Sequence, residues 1–106
     1  MPQVIEVKTP FFVEGISKLI DDWARNNHTT RHHAAQHIIS SGAGAKIKVF
    51  FHDSNIIVHL PIRYVNDWRK DGASDEGIIR HCVIMGLHKI SNVLASKPAI
   101  TIQNTK

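Results

Sequence analysis

Read as apolar and polar positions, the chain divides into eight short elements. Gln3–Lys8, "QVIEVK", alternates around Val4, Ile5 and Val7 and reads as a strand. Thr9-Pro10 then has the form of a cap and a first helical proline, so a first helix is expected from about Pro10 to Asn26. Phe12, Ile16, Leu19, Ile20 and Trp23 recur along it at three- and four-residue steps. Thr30 caps a second, shorter helix that runs to about Ser40 and closes on "SSGAG".

The stretch "KIKVFFHDSNIIVHLP" predicts a hairpin with Asp53-Ser54 at its turn. That register sets Ile47 opposite Leu60, Val49 opposite Val58 and Phe51 opposite Ile56, all apolar and all on one side. The other side carries Lys46, Lys48, Phe50, His52, Ile57 and His59, the mixture expected of a sheet with one wet face. Pro61 opens a short third helix ending at Gly72. Ser74 caps a fourth, with Asp75 and Glu76 well placed for its dipole, running to about Ala95. Its apolar face holds Ile79, Val83, Gly86, Leu87, Ile90 and Leu94, an arc wide enough for a central core helix. "PAITIQ" predicts a closing strand.

The expected fold is therefore α+β, with four helices and a four-stranded sheet in the order β-α-α-β-β-α-α-β. The halves echo one another. "IDDWARNN" and "VNDWRKDG" both carry Asp-Trp and precede a helix, and those helices contain Arg31-His32 and Arg80-His81. The echo hints at a βααβ pseudo-repeat, although it spans only a few residues.

Composition narrows the classes. At 106 residues the chain fits one domain, 1–106, large enough to bury a core without staples. The single cysteine, Cys82, allows no internal disulfide and suits a reducing compartment. The N-terminus shows no signal-peptide pattern, and no apolar run approaches the roughly 20 residues of a membrane helix, so a cytoplasmic protein without a membrane partner is expected. Thirteen Lys and Arg against nine Asp and Glu give a net charge of +4, which favours polyanionic partners. The eight histidines are many for this length, and imidazoles ordinarily titrate in mild acid.

Three readings compete for the histidine-rich stretch: a metal site, a nucleic-acid reader, or a plain solvated helix face. His33 and His37 share a helix face at i,i+4, the spacing of a zinc-binding helix. The stretch reads "HAAQH", however, and lacks the glutamate of that motif and nearby cysteines, so no metal or other cofactor is expected. Catalysis finds no phosphate loop and no nucleophile elbow, and Cys82 lies on an apolar helix face; the chain reads as a non-enzyme.

Nucleic-acid binding fits better. Two helices joined by "NNHTT" and followed by a hairpin follow the order of a helix-turn-helix with a wing. The second helix would present Arg31, His33, Gln36 and His37 to bases, and Lys46 and Lys48 would reach phosphates. The first expectation is thus a small basic DNA-binding regulator of transcription, working as a homodimer. The alternative is a protein-binding inhibitor or adaptor. Its contact surface would use the stranded apolar residues Phe50, Ile57 and Ile84, with His81 and His88 beside the last. Trp23 and Trp68 each end an apolar stripe and are expected to anchor the core.

Overall fold

The computed structural model describes residues 3–104, and side chains through residue 90. Three strands, β1 (Val4–Pro10), β2 (Lys48–His52) and β3 (Asn55–Pro61), form an antiparallel sheet in the order β1-β3-β2. Four helices, α1 (Ser17–Asn26), α2 (Arg31–Ala43), α3 (Ile62–Lys70) and α4 (Asp75–Asn104), complete an α+β architecture. No helix among the described residues is long and apolar enough to cross a membrane.

The hairpin register is the expected one, with Val49 against Val58 and Phe51 against Ile56. Asp53 (φ 50) and Ser54 (φ 64) both take left-handed backbone, as a two-residue hairpin turn requires. Strand alternation sends Val7, Val49, Ile56, Val58 and Leu60 inward, where they join Ile20, Ile38, Ile39, Val65, Ile78 and Ile79 in one core. Trp23 and Trp68 are half-buried against that core.

Two expectations are corrected. Pro98–Gln103 is not a strand but lies within α4, and the sheet has three strands among the described residues. The preceding residues Leu94, Ala95 and Lys97 are strong helix formers that favour continuing the helix. The outer edge of β1, where a fourth strand would add, instead meets α4: the Lys8 amide donates to Asp75 at 3.4 Å. The first helix starts seven residues later than expected. Pro10 remains in β1, which its edge position allows. Gly15, at φ +90, cannot be helical, so α1 begins only at Ser17. Between them Phe11 turns into the core, its amide donating to the Ser54 carbonyl at 2.8 Å.

Helices α2 and α4 approach one another backbone to backbone. A methyl group added to Gly42 would strike the Cys82 carbonyl oxygen and lie 2.9 Å from the Gly86 nitrogen. One added to Gly86 would strike the Ile38 carbonyl oxygen and lie 3.1 Å from the Gly42 nitrogen. The reciprocity is that of a local two-fold, with backbone packed directly on backbone.

Candidate nucleic-acid interface

Helix α2 is built to face two ways. Thr30 caps it, its hydroxyl accepting from the His33 amide at 3.1 Å, and Gly44 ends it in a left-handed conformation at φ 69. Ala34, Ala35, Ile38 and Ile39 are buried. A second row at i, i+4 and i+8, His32, Gln36 and Ser40, runs beside the outer edge of β2. His32 Nε2–H donates to the Val49 carbonyl at 2.7 Å. The Ser40 hydroxyl accepts from the Ile47 amide at 3.0 Å and donates to the Ile47 carbonyl at 3.4 Å. These side chains satisfy main-chain groups that an edge strand otherwise leaves open.

His32, His33, Gln36, His37 and Ser40 line a shallow groove of about 410 Å³. The rings of His33 and His37 stack at 6.3 Å, and Trp23 lies 5.5 Å from His37, so three flat rings follow one another along this surface. Among the described residues, no carboxylate lines the groove. Lys46 is exposed one residue before Ile47, at the Ser40 end. Among the described residues, no third His, Cys, Asp or Glu joins the two stacked imidazoles in a possible metal-holding group.

Arg31 belongs to the scaffold here. Its guanidinium makes a fork to Asp21 of α1 at 2.9 and 3.0 Å and lies over the rings of Phe11 and Phe12 at 4.6 and 5.2 Å. The Asp21 hydrogen bond holds it above the ordinary arginine pKa. Of the six residues expected to contact nucleic acid, the groove holds His33, Gln36 and His37, and Lys46 is exposed one residue before Ile47, the partner of Ser40. The fold gives Arg31 an internal partner and places Lys48 on the open face of the sheet, beside Phe50 on its own strand.

The expected protein-contact residues also divide. Phe50 (46 % exposed) and the half-buried Ile57 pair across β2 and β3 on that open face. Ile84 and His88 are exposed on α4, in the helical layer, where His81 lies edge-on to Trp68 at 5.2 Å. Sequence reasoning missed the edge contacts of His32 and Ser40; their i, i+8 spacing at the border of the apolar arc was the available signal. Comparison with family models, curated proteins and solved structures finds no match to this chain.

Proposed function

We infer that the protein is a nucleic-acid-binding regulator that meets its target through α2. The observation that carries this reading is the groove lined by His32, His33, Gln36, His37 and Ser40, with no carboxylate among its described lining residues; the exposed Lys46 precedes Ile47, whose amide bonds Ser40. Imidazole, amide and hydroxyl groups supply both donors and acceptors for base edges, and the lysine supplies phosphate contact. Arg31 acts as a staple in this reading: its fork to Asp21 ties the start of α2 to α1 and fixes the pitch of the exposed row. A two-fold dimer would present two such rows to successive turns of a duplex.

The test is a titration of a labelled random-sequence duplex at low and moderate salt, with the protein and with His33→Ala/His37→Ala. Binding by the protein should weaken steeply with salt, by about 0.9 log units per log unit of salt for each phosphate held. The double variant should lose about tenfold in affinity, the scale of one good base contact. Equal affinity of protein and variant would remove α2 as the reading surface.

A further inference from the structure

The helices pack against the inner face of the sheet, and its outer face is open. Three rungs can be read across it from the pairing register. The central rung is Lys8–Ile57–Phe50, with Glu6–His59–Lys48 on one side of it and Pro10–Asn55–His52 on the other. Phe50 is the aromatic ring of this face. It lies 5.2 Å from the His59 ring at a tilt of 58°, leaving 46 % of its surface in water. Lys48 and His52 stand two residues before and after it on the same strand, about 7 Å away, and Lys8 stands two strands over, about 10 Å away. The carboxylates here have neighbours of their own: Glu6 lies 3.6 Å from His59, and Asp53, at the turn, 3.1 Å from His52.

We propose that this open face is a platform for single-stranded nucleic acid, on which Phe50 stacks a base while Lys8 and Lys48 hold the flanking phosphates. The proposal rests on the reading that the protein binds nucleic acid, and adds a second site with a different substrate form. An exposed ring offers a flat surface to any base, whereas a paired duplex keeps its bases stacked on one another. Cations spaced around the ring suit a backbone that carries one charge per nucleotide. Charge also selects the occupant: among the outward positions of the three strands, Lys8 and Lys48 outnumber the single carboxylate, Glu6, which favours a polyanion.

The experiment is fluorescence anisotropy with a labelled oligothymidylate and a duplex of equal length. It compares the protein with Phe50→Ala, Phe50→Trp, Lys8→Ala/Lys48→Ala and His33→Ala/His37→Ala. Phe50→Ala should weaken single-strand binding about tenfold and leave duplex binding within about twofold, and Phe50→Trp should retain affinity. The double lysine variant should flatten the salt dependence by about 1.4 log units per log unit of salt, two phosphates at about 0.7 each. His33→Ala/His37→Ala should affect the duplex alone. Unchanged single-strand affinity in Phe50→Ala would overturn the platform while leaving the α2 reading intact. Loss of duplex binding in Phe50→Ala, equal to its loss of single-strand binding, would overturn the division into two sites. If Phe50→Ala converted a dimer to a monomer by light scattering without changing oligonucleotide affinity, the face would be an interface between copies and the proposal would fail.

Discussion

Residues 17–43 and 62–86 build one arrangement twice. In each, a helix ends at a residue with left-handed backbone, His28 at φ 53 or Gly72 at φ 87. A hydroxyl then caps the next helix at 3.1 Å, Thr30 to the His33 amide or Ser74 to the Gly77 amide. Each carries a tryptophan against a histidine, Trp23 on His37 at 5.5 Å and Trp68 on His81 at 5.2 Å. Each buries a row, Ala34, Ala35, Ile38 and Ile39 or Ile78, Ile79, Cys82 and Val83, that leads to a glycine at the crossing. From cap to glycine the two run at a constant offset, Thr30 to Ser74 and Gly42 to Gly86. The short echo in the sequence does not follow this offset of 44: Asp-Trp recurs after 45 residues and Arg-His after 49, and the closing strand of a βααβ repeat is not among the described strands.

The exposed rows are where they part. Where α2 has His32, Gln36 and Ser40, α4 has Glu76, Arg80 and Ile84 at the corresponding positions. Arg80 pairs with Glu76 and also reaches the Glu14 carbonyl at 3.5 Å. The second unit forms the same helix pair with His81 in the place of His37, but with Glu76 and Gly77 where the first has His32 and His33. The groove on α2 is therefore not a requirement of the fold, and this is why the histidines deserve a functional reading.

The comparison can be broken most severely at the crossing. Gly42→Ala and Gly86→Ala should each cost about 3 kcal/mol in urea unfolding, by equal amounts, because each methyl meets backbone that cannot move aside. Gly44→Ala, with open space around it but φ +69, is the control and should cost about 1 kcal/mol. A marked inequality between the two crossing variants would show that the contact is not reciprocal.

The caps sharpen the comparison on a smaller scale. Thr30→Ala and Ser74→Ala should each lower stability by about 1 kcal/mol, and the double variant by about the sum, since the two caps share no partner. Thermal melts of the three variants decide this.

The last effect is silent at neutral pH and distinguishes the units by chemistry. Cys82 occupies the place that Ile38 holds in the first unit, and burial pushes its thiol up to about 11 from an ordinary value of 9.0. The folded protein keeps a proton there that the unfolded chain releases, so stability is unaffected at neutral pH and falls as pH rises from about 9 toward 11. Cys82→Val should remove that alkaline loss, read from urea midpoints across the range. In the native state the thiol should also resist a disulfide reagent at pH 8.

Much of this was legible from pattern alone. The hairpin register followed from pairing apolar residues, and the caps at Thr30 and Ser74 from hydroxyls preceding apolar runs. The companions of Phe50 on the open face followed from strand alternation. The partner of Arg31 was not legible, because Asp21 lies across a turn on another helix and its charge also suits a solvated surface. The start of α1 was misread because Pro10 serves an edge strand as well as a helix, and Gly15 gives no periodic signal. Gly86 was visible on an apolar face, but nothing in its surroundings announces a partner 44 residues earlier.

That pair of glycines has a consequence for how the chain finds its fold. Elsewhere in the core, side chains can repack to absorb a small error of alignment. Where backbone lies on backbone there is no such tolerance. Sliding α2 along α4 by one turn would bring Ile38 or Cys82 to the point of contact, where no side chain fits. The crossing therefore sets the register of the two helices: a pairing shifted by one turn is excluded by shape.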